Sequence, residues 1–212
     1  MNHNLDAALL DVRRAYRLLA DYQRRQFELL SYIRDKLGAK PYYQDYVFPR
    51  PDALNGLENQ AYAGLRFLPF LDLSAIWLRH KGQEEYWNMH RAGDQMFGAW
   101  VRSDTGFNKY QHCYTDETAE TCRSLLVLSV VICDQPSDQS CNWYSKVWNL
   151  LPYPKDGEVG SNAAVPGYRV YSNSIDLAEL GDQAAVDAAI DHWRKAASIA
   201  LGHTIGVSTP VE

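Results

Sequence analysis

The sequence lacks the features that mark several common protein classes. None of its apolar runs approaches the about 20 residues that a membrane-spanning helix needs. Its first residues do not combine a basic segment with a following apolar segment, as a secretory signal does. It also has no internal repeat and no low-complexity tract. These absences predict a cytoplasmic protein that does not enter the membrane.

Motifs of familiar enzymes and cofactor sites are missing too. The sequence has no G-x-x-x-x-G-K-[ST], G-x-G-x-x-G, H-E-x-x-H or G-x-S-x-G pattern. Its four cysteines do not have the spacing of paired zinc ligands, at Cys113, Cys122, Cys133 and Cys141. A net charge of −5 over 212 residues gives no general attraction for nucleic acid. We therefore expect no metal, no cofactor, no nucleic acid partner, and reduced thiols.

The longest apolar run, RSLLVLSVVIC at Arg123–Cys133, predicts a buried central strand. Its β-branched residues favour an extended chain. Alternate residues of a strand face opposite ways, and both alternating sets are apolar in this run. Both faces of the strand therefore need cover, either from the protein's own helices or from a second copy of the chain.

The N-terminal part of the chain predicts one long helix over Leu5–Leu37. Apolar residues recur every three or four positions without a Gly or Pro, Asn4 is placed to be the N-cap, and Gly38 to end the helix. A helix of this span is about 50 Å long at 1.5 Å per residue. Such a length exceeds the usual width of a domain. We expect part of the helix to overhang, to bend, or to pair with a twin from another subunit.

The outer face of this helix is basic, with Arg13, Arg17 and Arg24 as its surface cations. Such a face can contact phosphates. Nearby acids, among them Asp11 and Asp21, favour instead a solvated face crossed by ion pairs.

The middle of the chain, about residues 42–177, predicts a sheet. Strands are expected at Leu65–Arg79, Gln95–Arg102, Phe107–Tyr114, the central run and Tyr168–Leu177. Residues 141–151 are interpreted as helix or mixed structure, and residues 152–166 as a loop.

A second helix is predicted over Gln183–Leu201, with Asp182 as its N-cap and Gly202 at its end. The tail from His203 has no pattern and is expected to fray. Since the central run needs cover from both ends of the chain, we predict a single α+β domain over residues 1–212. It has a long N-terminal helix at 5–37, a central antiparallel sheet of four to six strands, and a C-terminal helix at 183–201 packed on the sheet.

Asp72 is the sharpest polar anomaly, an acid among apolar residues of a predicted strand. Such an acid must be paired, hydrogen-bonded, protonated or functional. A satisfied structural carboxylate is the favoured interpretation. The alternative is a metal-dependent, nuclease-like enzyme in which Asp72 binds Mg²⁺, helped by Glu58, Asp94 or Asp104. The acid–x–Lys pattern that would support this alternative is missing from the sequence.

Four aromatic residues, Trp77, Trp100, Tyr168 and Tyr171, suggest another alternative. A curved sheet that carried them on one side could enclose an apolar ligand, as in a small-molecule sensor. The same side chains also suit a hydrophobic core.

The preferred hypothesis is a non-enzymatic interaction or regulatory module that self-associates. The long helix and the strand with two apolar faces both present more apolar surface than two helices readily bury. A twofold homodimer, or a protein partner bound through the N-terminal helix, supplies that cover.

Overall fold

A computed structural model of the protein describes residues 2–46, 71–81, 87–108, 113–136 and 140–206. Within them an antiparallel sheet of six strands carries two long helices on one of its faces. In chain order the elements are α1 (Asn2–Lys36), β1 (Lys40–Tyr46), β2 (Asp72–Arg79), β3 (Gln95–Arg102), β4 (Phe107–Asn108), β5 (Cys113–Tyr114), β6 (Leu125–Cys133), β7 (Val159–Ser161), β8 (Tyr168–Asp176) and α2 (Gln183–Leu201). The main sheet has the strand order β1-β2-β3-β6-β8-β7, and β4 and β5 form a separate pair. The predicted α+β class and strand number are confirmed.

The apolar run predicted to be central is the inner strand β6. It pairs with β3 on one side and with β8 on the other, so that Leu125 lies opposite both Arg102 and Asp176. Its even-numbered residues face the helices and are fully buried, at Leu126, Leu128, Val130 and Ile132.

Only the second half of α1 packs on the sheet. It contributes Leu29, Leu30 and Ile33 to the core beneath the helices, and Leu37 directly after the helix joins the same core. The other helix contributes the stripe Val186, Ile190, Trp193, Ala197 and Leu201. Trp193 also donates its indole N–H to the carbonyl oxygen of Leu128 at 3.2 Å, which fixes α2 over the middle of β6.

The opposite face of the sheet is covered by an irregular segment of the same chain. Residues 143–147 form a π-helical turn and residues 148–150 a 3₁₀ turn, which agrees with the mixed structure predicted there. Trp143, Val147 and Leu151 pack against the sheet in a second apolar cluster that includes Val131 and Cys133. The cover on this face thus comes from the chain itself, as one of the two predicted alternatives has it. Short helical turns at residues 141–151, which we call the strap, bury the end of the face near Cys133, in place of a long helix.

The predicted helix ends are correct except at the N-terminus. Gly38 has a left-handed φ of 64° after α1, and Gly202 has a φ of 70° after α2. Asp182 accepts a hydrogen bond from the N–H of Ala185 at 2.9 Å. The first helix already begins at Asn2, so Asn4 lies inside it and is not its N-cap.

Two predictions about strands differ from the structure, and a third extends beyond the described residues. Phe107–Asn108 and Cys113–Tyr114 pair with each other and not with β3, because β2 and β6 already occupy both edges of β3. Residues 109–112 of this predicted strand lie outside the described part of the chain. The predicted loop at 152–166 contains the short edge strand β7. The second predicted strand is observed from Asp72 onward; Leu71 before it is a bend, and residues 65–70 lie outside the described part of the chain.

The tail is held in place as far as Gly206. The buried Gln95 side chain donates to the carbonyl of Thr204 at 2.7 Å and accepts from the N–H of Gly206 at 2.9 Å. Ile205 between them is buried, so the predicted fraying does not occur at residues 203–206.

No helix in the described ranges has the length and apolar character needed to cross a membrane.

Candidate functional site

Asp72 lies at the start of β2 and is held by an indole. Its carboxylate accepts a hydrogen bond from the Nε1 of Trp100 on β3 at 2.7 Å, and its residue is only 8% exposed. The Arg102 guanidinium lies over the same indole ring, 5.1 Å from its centroid. The geometry is that of a buried carboxylate with a hydrogen-bond donor and a cation close by.

One of the acids proposed to help Asp72 bind Mg²⁺, Asp94, is far from it. Asp94 lies beyond the opposite end of β3, roughly 25 Å away at about 3.3 Å per residue. It is fully buried and accepts hydrogen bonds from the N–H groups of Lys81 and Arg91, each at 2.7 Å. Glu58 lies outside the described residues. Across the described ranges, no three or more His, Cys, Asp or Glu side chains are arranged to hold a metal ion.

Asp104 lies at the same end of the sheet as Asp72, two residues after Arg102, which is the strand partner of Asp72 on β3. The Oδ1 of Asp104 accepts the N–H of Gly106 at 2.8 Å, which closes the turn after β3.

The four aromatic residues of the sensor hypothesis do not share a pocket. Trp77 and Tyr171 belong to the core beneath the helices. Tyr168 packs on the opposite face of the sheet, and Trp100 lies on that face near the other end. The sheet separates the two pairs, since neighbouring positions of a strand point to opposite sides. These four residues therefore cannot enclose one ligand.

One of the four, Trp77, lines a cavity of about 290 Å³ between α1 and the β1–β2 edge. Its walls also include Phe27, Leu30, Tyr42 and Leu73. The volume is close to the lower end of the range for small-molecule pockets, about 300 Å³.

A buried polar cluster was not predicted from the sequence. The Nδ1 of His90 lies 2.7 Å from the hydroxyl of Tyr168, and its ring stacks on Trp143 with centroids 3.8 Å apart. Burial lowers the pKa of His90 to about 4, against the opposing effect of the nearby Asp94 carboxylate. Burial also raises the pKa of the Cys133 thiol to about 11. At neutral pH the cluster therefore holds a neutral imidazole and a neutral thiol, which suits a structural role.

No sequence signal marked this cluster, because His90 sits in a polar stretch without periodicity.

The most distinctive surface is the first half of α1. All fourteen residues from 5 to 18, which we call the arm, are exposed. They include large apolar side chains that are 44–70% exposed, at Leu5, Leu9, Val12 and Tyr16. At about 1.5 Å per residue, the arm is about 21 Å long. The predicted overhang of the long helix is therefore present.

The base of the arm is attached to the rest of the protein by polar contacts. Tyr22 donates to the hydroxyl of Ser103 at 2.9 Å, and burial raises the pKa of this tyrosine. Arg25 donates to the carbonyl oxygens of Leu180 and Gly181.

Further along, Lys36 pairs with Asp187 at 2.8 Å and with Asp191 at 3.3 Å. Tyr32 also donates to Asp187, at 2.7 Å. These contacts tie the second half of α1 to α2, so that α1 projects from a fixed base.

The basic face of α1 is interrupted by acids. Arg24 pairs with Asp21 at 2.9 Å, and Arg14 pairs with Asp11 at 3.1 Å. Arg13 and Arg17 are exposed on the arm. The cations thus alternate with local ion pairs, as in a solvated helix face.

Comparison with known proteins shows a family relationship over nearly the whole chain. A family model described as PM0109 matches residues 2–202. A protein of Pasteurella multocida (strain Pm70) with the name Uncharacterized protein PM0109 is 32% identical over 214 residues. The match covers 97% of this chain and 100% of that protein. The chain belongs to the PM0109 family. No solved structure matches it.

The arm lies within the region that the PM0109 family model matches, since that region begins at residue 2. It is a rigidly based helix with an apolar stripe and flanking charges. Such a surface can bind another helix.

Proposed function

We propose that this PM0109-family protein is a non-enzymatic, cytoplasmic interaction module that self-associates through the arm. The observation that carries the proposal is a stripe of large apolar side chains on fourteen exposed helical residues. No described residue covers this stripe.

An uncovered arm is energetically unfavourable. The arm continues a helix that is already formed, but its own turns gain nothing from tertiary packing, which supplies most of the stability of helices in proteins. Each buried leucine contributes about 1.5–3 kcal/mol relative to an exposed one. Covering the stripe therefore stabilises both the apolar side chains and the helix itself.

The spacing of the stripe suits a helical partner. Leu5, Leu9, Val12, Tyr16 and Leu19 are separated by four, three, four and three residues. This 3.5-residue period is that of a coiled-coil seam. It continues through Gln26 and Leu30 into the part of α1 that is buried against the sheet.

A second copy of the chain is the occupant that we favour. Twofold symmetry lets one stripe cover the identical stripe of its partner. Two arms would bury a surface on the order of 1,000 Å², about the lower limit for a specific interface. The second face of the sheet gives no further reason to expect a dimer, because the strap at residues 141–151 covers part of that face.

The cytoplasmic part of the proposal is supported by the thiols. Cys122, Cys133 and Cys141 are free, and Cys133 is fully buried. Free thiols are usual in proteins of reducing compartments.

A pair of matched substitutions tests the use of the stripe. Leu9→Asp places a carboxylate in the proposed seam of both copies, so we expect the dimer dissociation constant to rise at least about tenfold. Leu18→Asp makes the same change on the same helix but outside the seam, where the leucine is 73% exposed. It should leave the dissociation constant nearly unchanged. Sedimentation velocity over a concentration series measures both.

Equal effects of the two substitutions would contradict the proposal. So would a monomeric wild-type chain that instead co-sediments with anionic lipid vesicles, since an amphipathic helix can also lie on a membrane surface.

A further inference from the structure

We infer that the two arms pair antiparallel, with Leu5 of one copy against Tyr16 of the other and Leu9 against Val12. This inference rests on the proposed self-association and specifies its geometry. It is carried by three features of the arm that become complementary together only in this alignment.

The first feature is the order of the apolar residues. A coiled-coil seam alternates between two kinds of position, called a and d. In an antiparallel pair each a residue faces a d residue of the partner. Leu5 then faces Tyr16, and Leu9 faces Val12, once on each side of the twofold axis. Each layer then holds two different apolar residues, so that no layer pairs two tyrosines or two valines.

The second feature is charge. Asp6 and Arg13 are exposed and occupy equivalent positions beside the seam, seven residues apart. Neither makes an ion pair with a described residue. In the inferred alignment Asp6 of each copy lies next to Arg13 of the other, which gives two symmetric ion pairs.

The third feature is size. Ala8 and Ala15 flank the seam on its other side, also seven residues apart, and both are exposed. The same alignment places Ala8 of each copy next to Ala15 of the other. Small side chains at these positions let the two helices approach closely.

Other alignments lose this complementarity. In a parallel pair the residues beside Arg13 are alanines, and Asp6 meets no arginine. An antiparallel pair shifted by one heptad toward the base places Arg13 against Arg13 of the second copy. Like charges that face each other disfavour that register.

Charge reversal tests the alignment in the full chain. Asp6→Arg alone, or Arg13→Asp alone, turns both attractive pairs into repulsive ones. We expect each to raise the dimer dissociation constant about tenfold at low salt. The double variant D6R/R13D restores opposite charges and should return to within about threefold of wild type. Sedimentation velocity of the wild-type chain, the two single variants and the double variant gives these constants.

Mixing the two single variants adds a second readout. Asp6→Arg supplies two arginines and Arg13→Asp two aspartates, so the mixture should form a heterodimer more tightly than either variant pairs with itself. D11R/R14D is the matched control, because it reverses an ion pair within one arm. The dimer dissociation constant of this control should equal that of the wild-type chain.

The outcomes separate the two levels of the proposal. A wild-type dimer that is insensitive to the single reversals, or that the double variant fails to restore, overturns the antiparallel alignment and leaves self-association standing. A wild-type chain that stays monomeric overturns the proposed function itself.

Discussion

At the scale of single residues, the missing side chain of Gly98 decides how the strap lies on the sheet. A Cβ atom at Gly98 would lie 2.5 Å from the ring of Trp148, which is closer than atoms can approach. Next to it on β6, the Ser129 hydroxyl lies 3.0 Å from that of Ser172 on β8. Small side chains on three adjacent strands thus leave room for the indole.

Gly98→Ala should therefore destabilise the fold. We expect the free energy of unfolding to fall by about 1–3 kcal/mol, the usual cost of overpacking a core position. Gly181→Ala is the control, because a Cβ atom there meets nothing within 4 Å. Urea unfolding monitored by tryptophan fluorescence compares the two variants. An equal effect of both would mean that Trp148 does not rest on Gly98.

His90 makes the stability of the fold depend on pH. Its pKa is about 4 in the folded protein, below its ordinary value of 6.5, mainly because of burial. The unfolded chain therefore binds a proton more readily than the folded one between these two values. The contribution of the neutral, buried His90 to the free energy of unfolding is complete above about pH 6.5. It is lost as the pH falls toward 4, because the unfolded chain takes up the proton first.

We predict that this loss amounts to about 3 kcal/mol across the window. His90→Gln carries no titratable ring, so its free energy of unfolding should change less between pH 7 and pH 4.5 than that of wild type. The exposed His192→Gln serves as the control and should keep the wild-type dependence. Urea unfolding at a series of pH values measures the slopes. The same slope in all three proteins would contradict the assignment to His90.

At the scale of elements, regular segments with clear end signals were predictable from the sequence. The second helix spans the predicted range because Asp182 and Gly202 mark both of its ends. β6 follows from a continuous apolar run rich in β-branched residues, and β3 from a shorter apolar run followed by turn residues. In each case the signal is local, and a neighbouring element only reinforces it.

Other elements depend on contacts that a sequence does not display. β7 has three residues and exists because it pairs with the edge of β8. The π-helical turn at 143–147 is fixed by its packing on the sheet and by the Asn142 cap, which accepts from the N–H of Ser145 at 2.8 Å. The tail at 203–206 is held by Gln95, a residue more than 100 positions away.

Some features of the candidate site were likewise predictable from the sequence, and others were not. The overhang and apolar stripe of α1 were predictable, because both follow from length and periodicity. The positions of Trp77, Trp100, Tyr168 and Tyr171 on two faces, and the distance of Asp94 from Asp72, required the strand register.

A single helix therefore has two distinct halves. One stripe runs through all of α1, but its second half lies against the sheet and its first half projects beyond it. Polar contacts from Tyr22 and Arg25 hold the boundary between them, and Lys36 attaches the far end of the second half to α2. The element combines part of the core with an interaction surface.

At the scale of the whole molecule, the sheet receives its cover from the described part of the chain outside the arm. The helices bury one face of the sheet, and the strap buries part of the other. Residues 5–18 contribute nothing to either core. Removal of the arm should thus leave the rest of the protein folded and alter only its association.

The most direct measurement is the molar mass in solution as a function of concentration, by light scattering or sedimentation equilibrium. The wild-type chain should rise toward twice its mass of 24.2 kDa as its concentration approaches about 100 μM. A chain that lacks residues 1–18 should keep its melting temperature and the monomer mass throughout. A wild-type chain that remains at 24.2 kDa over the whole range would contradict self-association through the arm.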